Sequence, residues 1–63
     1  MLIEASEKYL SFKGLPQDAM ALVDSVHEAF EHSDMPKVLN DFIFNLEVAL
    51  QNDGWLDQDF NVI

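Results

Sequence analysis

The chain has 63 residues, of which twelve are acidic, three are lysine and none is arginine or cysteine, so its formal net charge is −9. This length allows one domain with one small core, and the 49% of hydrophobic residues argues against disorder. The charge argues against direct contact with nucleic acid or an anionic membrane, since both need cations, and the missing cysteines exclude disulfides and thiolate metal sites.

The first stretch, residues 2–13, has the spacing of an amphipathic helix. At about 100° per residue its polar side chains share one side, and Gly14 suits the left-handed residue that ends many helices. A strand through Tyr9 to Phe12 is the alternative. The apolar arc of the predicted helix contains Leu2, Ile3, Ala5, Tyr9, Leu10 and Phe12.

The second stretch predicts a helix over residues 16–32. Pro16 is tolerated in a first turn, and Asp18 suits the positive end of the helix dipole. The pattern predicts an end near His32, after an apolar stripe of Ala19, Leu22, Val23, Val26, Ala29 and Phe30.

The third stretch predicts a helix over residues 35–51. Ser33 or Asp34 can cap it, Pro36 fits its first turn, and Gly54 follows its end. Together the three stretches predict an all-α fold, a small three-helix bundle. The core stripe of the third helix contains Met35, Val38, Leu39, Phe42, Ile43, Leu46, Ala49 and Leu50.

The last segment, residues 55–63, is too short and too acidic to predict a helix, yet it is rich in apolar side chains. A free tail is rarely so apolar, so we expect it to pack on the bundle; a segment that awaits a partner is the alternative. Its apolar residues are Trp55, Leu56, Phe60, Val62 and Ile63.

No pattern of catalytic or metal-binding residues survives a test of spacing. His27 and His32 lie five positions apart, whereas a zinc-binding helix needs histidines four apart on one face. The acidic residues around Gly54 do not follow the calcium-loop pattern, and no serine stands in a glycine-flanked elbow. We therefore expect no enzyme activity, no cofactor and no bound metal.

Two apolar residues of the third helix face away from its core stripe. Phe44 and Val48 lie one turn apart, about 180° from that stripe. Either the first helix or the tail covers them, or they form a self-association or partner face with Phe44 as its anchor.

These features predict a small acidic helical protein that binds a protein with a basic surface, as an inhibitor or modulator. Its carboxylates would then imitate DNA phosphates, as in virus-encoded antagonists of bacterial defence, an analogy of size and charge alone. The alternative is a helical dimerisation module or a small structural subunit of a larger assembly. The expected partner-binding residues are Glu28, Glu31, Asp41, Phe44, Glu47, Val48, Trp55, Asp57, Asp59 and Phe60.

The sequence also leads to expectations about the stability and the location of the protein. A core of this size leaves the balance of burial and chain entropy near zero, so we expect a homodimer or a bound partner to add stability. The longest apolar run, Ala19–Val23, is far shorter than the roughly 20 residues of a membrane span. The amino terminus lacks the features of a signal peptide, which favours a cytoplasmic location.

Overall fold

The computed structural model describes all residues from 1 to 63 and has two strands followed by two helices. The strands are β1 (Ile3–Glu7) and β2 (Leu10–Gly14), and the helices are α1 (Pro16–Ala29) and α2 (Lys37–Asn52). This is an α+β fold, so the prediction of an all-α three-helix bundle is wrong.

The error lies in the first stretch, because residues 3–14 form a β-hairpin where the sequence pattern predicts a helix over residues 2–13. β1 and β2 pair antiparallel, with Ile3 opposite Gly14 and Glu7 opposite Leu10. Ile3 and Ala5 point into the core, while Glu4 between them and Ser6 after them are exposed. Over so short a stretch, apolar residues that alternate along a strand also fall on one side of a helix. The sequence pattern therefore fits a strand and a helix equally well there.

The turn of the hairpin lacks the residues that usually predict a tight turn. Two-residue turns favour glycine or asparagine, because one or both central residues need a positive φ. Here the turn is Lys8-Tyr9, and Lys8 itself takes a φ of 48°. The usual sequence signal of a tight hairpin is therefore missing.

Both helices form close to their predicted positions. α1 begins at Pro16 and ends at Ala29 in a closing turn, where the Phe30 N–H donates to the Val26 carbonyl and the Glu31 N–H donates to the Glu28 carbonyl. α2 begins after Pro36, whose carbonyl accepts the first helical bond from Asn40. No side chain caps the amino terminus of either helix. Neither helix combines the length and the apolar composition that a membrane crossing requires.

The core lies where the hairpin and α1 pack against α2. β1 is the strand that lies along α2, and the α2 side chains at the centre are almost fully buried. Since α2 contacts every other element, it organises the domain. The nine buried residues are Ile3, Ala5, Ala19, Val23, Phe42, Ile43, Leu46, Leu50 and Leu56.

Residues 55–63, which we call the tail, fold back against α2 as an irregular loop. The Trp55 N–H donates to the Leu50 carbonyl at 2.9 Å, and Gln51 Nε2 donates to the Asp57 carbonyl at 2.9 Å. Leu56, only 7% exposed, joins the core and forms an isolated antiparallel bridge with Val62. The tail therefore supplies one wall of the molecule.

Candidate binding groove

An open groove of about 310 Å³ lies between α1, α2 and the tail. We call it the tail groove, because it exists only where the tail folds back beside the two helices. Its lining residues are Met20, Val23, Asp24, His27, Glu47, Leu50, Leu56, Asp59, Phe60 and Val62.

The floor of the tail groove is apolar and belongs to the core. Val23 from α1, Leu50 from α2 and Leu56 from the tail are all buried. Met20 and Phe60 are half-buried beside them. A ligand that enters the groove would therefore lose water against hydrocarbon, which is favourable for an apolar group.

The rim of the tail groove is acidic. Asp24 on α1 and Asp59 on the tail are exposed, whereas the Glu47 side chain is only 21% exposed and lies 3.6 Å, Oε1 to Nε2, from His27. Lys13 and Lys37, the lysines that form ion pairs, contact Glu4 and Asp41 outside the groove. The rim carboxylates thus have no lysine partner and can receive a cation.

A turn centred on Asp57 builds the tail wall. Its Oδ1 accepts hydrogen bonds from the backbone N–H groups of Asp59 at 2.9 Å and Asn61 at 3.0 Å. Phe60, between them, takes a φ of 63° in the left-handed region. The Asp57 side chain therefore holds the backbone that places Asp59 and Phe60 in the groove.

Comparison of the chain with protein-family models, with curated proteins and with solved structures finds no match.

The Phe44 and Val48 side of α2 is partly covered by the tail. The rings of Phe44 and Phe60 lie 6.0 Å apart, centroid to centroid, and are tilted by 56°. Phe44 nevertheless stays 55% exposed, and Val48 is half-buried. Trp55 is 43% exposed, and its Nε1 donates to Asp53 Oδ2 at 2.9 Å. The tail therefore reaches this side of α2 through the Phe60 ring, which lies beside Phe44.

The other predicted partner residues lie outside the groove. Glu28 is exposed on α1, and Glu31 is exposed in the loop that follows it. Asp41 accepts a hydrogen bond from Lys37 Nζ at 2.8 Å. That hydrogen bond and the negative charge of Asp41 raise the pKa of Lys37 above its usual value.

The groove gathers Glu47, Asp59 and Phe60 from the predicted set, with Phe44 beside Phe60. Sequence reasoning did not assign Asp24 to the site. The available signal was its position on α1, where it directly follows the core residue Val23. No three histidine, aspartate or glutamate side chains gather closely enough to hold a metal ion.

Proposed function

We propose that this protein binds the basic surface of another protein in the cytoplasm and thereby inhibits or modulates it. One observation carries the proposal: ten of the twelve carboxylates have no lysine within 4.0 Å, because the lysine ion pairs engage only Glu4 and Asp41. None of these carboxylates is fully buried. They form a solvated negative surface whose attraction for cations is not used up within the molecule.

The tail groove gives this attraction a place of contact. Lysine and arginine side chains have an apolar stem and a charged head. A stem of this kind fits the floor formed by Val23, Leu50 and Leu56, and the head can then reach the carboxylates of Asp24, Glu47 or Asp59. The groove supports a contact in which one basic side chain of the partner is inserted and further basic residues surround it.

The distribution of charge also supports a DNA-mimicking form of the proposal. Lys8 and Lys13 lie on the hairpin, so residues 15–63 carry ten carboxylates and only one lysine, Lys37. A basic surface that evolved to hold phosphates would meet a similar excess of negative charge there. Duplex DNA and this protein would then compete for the same surface.

The test is affinity capture from a lysate of the native host at roughly 50 mM and 500 mM salt, since screening weakens contacts between charges. We compare Asp24→Asn/Asp59→Asn, which neutralises the groove rim, with Asp18→Asn/Asp34→Asn, which removes the same charge elsewhere. We expect a basic protein to be retained at low salt, released at high salt, and retained several-fold less by the groove variant than by its control.

Two outcomes would contradict the proposal: no basic protein is retained, or the retained protein persists at high salt. If both variants lose binding equally, the groove is not the contact although the basic partner remains. Addition of random-sequence duplex DNA tests the mimic. Displacement from the identified partner supports it, whereas unchanged binding limits the proposal to basic surfaces that do not hold DNA.

A second candidate function is a dimerisation module or a small subunit of a larger assembly. It is favoured by the large apolar side chains that remain exposed, among them Phe44, Trp55 and Ile63. An apolar contact of this kind persists as salt rises. The same capture experiment therefore separates the two functions by their response to salt.

A further inference from the structure

We propose that the open edge of β2 pairs with β2 of a second copy of this chain, so that two hairpins form one four-stranded antiparallel sheet. The inference concerns the hairpin, whose charges cancel, instead of the acidic tail groove, and it does not rest on the proposed function. It follows from the register of the hairpin, the hydrogen bonds that its edges make, and the charge of the surrounding surface.

The register identifies the backbone groups that face outward. Antiparallel pairs alternate between hydrogen-bonded and non-hydrogen-bonded, and the pair that closes a two-residue turn is hydrogen-bonded. Here that pair is Glu7 and Leu10, so Ala5 and Phe12 form the next hydrogen-bonded pair. The N–H and C=O groups of Ser11 and Lys13 must then point away from β1.

A hydrogen bond on the other edge supports this assignment. Ser6 is opposite Ser11, so its carbonyl should point away from β2. It does, because it accepts a hydrogen bond from Asn45 Nδ2 of α2 at 3.2 Å. The edge of β1 is thus held beside α2.

The edge of β2 has no such cover. No residue of Leu10–Gly14 takes part in a backbone hydrogen bond outside the helices and the hairpin, or in a side-chain hydrogen bond. Unpaired edge groups are a template for another strand, and a two-stranded sheet is marginally stable by itself. A second strand would satisfy the groups of Ser11 and Lys13.

Charge favours a second copy at this edge over any other part of the surface. In residues 1–14, Lys8 and Lys13 offset Glu4 and Glu7, so the whole formal charge of −9 resides on residues 15–63. Two copies that meet through their helices or tails would bring like charges together. Two copies that meet through β2 join their neutral sides.

The side chains select one register. A two-fold axis at Phe12 places Phe12 opposite Phe12 of the second copy in a close, non-hydrogen-bonded pair, where aromatic side chains stabilise a sheet. Ser11 then faces Lys13 of the second copy, which keeps the lysines from facing each other. Phe12 is only half-buried, and its ring lies over Gly14, where an added Cβ would be 3.0 Å from it. It therefore lies on the core side of the sheet with surface left to cover.

The test compares two serine-to-proline variants at opposite positions of the hairpin. Proline removes an N–H and is tolerated on an edge strand whose N–H faces outward. Ser11→Pro removes a donor from the β2 edge, and Ser6→Pro removes its counterpart on the β1 edge. We expect light scattering to give twice the 7.2 kDa chain mass for the unaltered protein and for Ser6→Pro, and a single chain mass for Ser11→Pro.

A second measurement decides the matter if Ser11→Pro fails to fold. In the unaltered protein, we expect the amides of Ser11 and Lys13 to exchange with solvent more slowly as protein concentration rises, while exchange at Glu4 stays constant. The proposal is overturned if the protein remains monomeric at millimolar concentration, if folded Ser11→Pro still dimerises, or if exchange at Ser11 and Lys13 is independent of concentration.

Salt separates this inference from the proposed function. The dimer should persist or strengthen as salt rises, because screening reduces repulsion between two acidic chains. The complex with a basic partner should weaken over the same range. Loss of one behaviour leaves the other intact, so the two proposals can fail independently.

Discussion

Asp57 shows how one side chain determines the shape of a whole wall of the molecule. Its Oδ1 accepts both the Asp59 and the Asn61 N–H groups, and its own N–H donates to the Asn61 carbonyl at 2.9 Å. Aspartate favours turns because its short side chain can bond the backbone two residues ahead. The sequence suggested a solvated charge for partner binding, whereas the structure also gives Asp57 a role in building the tail.

Asp57→Ala should therefore loosen the tail without unfolding the domain. Two N–H groups lose their acceptor, which costs about 1–2 kcal/mol locally for partly exposed groups. Asp57→Asn is the matched control, because the amide keeps one acceptor oxygen while losing the charge. We expect faster amide exchange at Asp59 and Asn61 in the alanine variant than in the asparagine variant; equal exchange in both would assign the effect to charge instead.

At the scale of single elements, the hairpin is held by its packing on α2 more than by its local sequence. Its turn places Lys8 at a φ of 48°, a backbone conformation that residues with a Cβ rarely adopt. A strained turn in a two-stranded sheet persists only when surrounding contacts determine it. Those contacts are the burial of Ile3 and Ala5 in the core and the hydrogen bond from Asn45 to Ser6.

The same substitution should thus have opposite effects at two lysines of the hairpin. Lys8→Gly relieves the left-handed strain and should stabilise the protein by about 0.5 kcal/mol, after allowance for the greater entropy of unfolded glycine. Lys13→Gly, within β2, should destabilise it by about 0.5–1 kcal/mol. Urea denaturation measures both. A loss of stability in both variants would show that the turn is not strained.

At the scale of the whole molecule, repulsion between like charges opposes the compact fold. The chain folds with a formal net charge of −9, and its lysines form only two ion pairs, both exposed. Exposed ion pairs contribute little to stability. The remaining carboxylates repel one another across a domain whose radius of gyration is 11.1 Å, about one Debye length at moderate salt.

Added sodium chloride should accordingly raise the melting temperature. If screening between roughly 10 mM and 300 mM salt recovers about 1 kcal/mol, the midpoint of a domain of this size rises by about 4–8 °C. The Asp18→Asn/Asp34→Asn variant should show a smaller rise, because it has less charge to screen. Calorimetry at protein concentrations that hold the oligomeric state constant measures this, and a flat or falling midpoint would argue that repulsion is unimportant.

Local sequence signals were sufficient for the helical half of the fold. The proline at the start of α1, the apolar stripes of both helices and Gly54 after α2 predicted helices whose bounds differ from those of the structure by at most three residues. These signals are strong because a stripe that repeats over 14 or 16 residues distinguishes helical from strand spacing. The acidic composition likewise follows from the sequence alone.

The hairpin and the tail groove depended on contacts between distant residues. In a five-residue strand, the alternation of apolar and polar residues is too short to be distinguished from the apolar side of a helix. The burial of Ile3 and Ala5 against α2 is what distinguishes the strand from the helix. In the groove, Asp24, Glu47 and Asp59 belong to three separate segments. They lie close together because α1 and the tail pack on α2. Packing between separate segments produces no periodic pattern in the sequence from which it could be predicted.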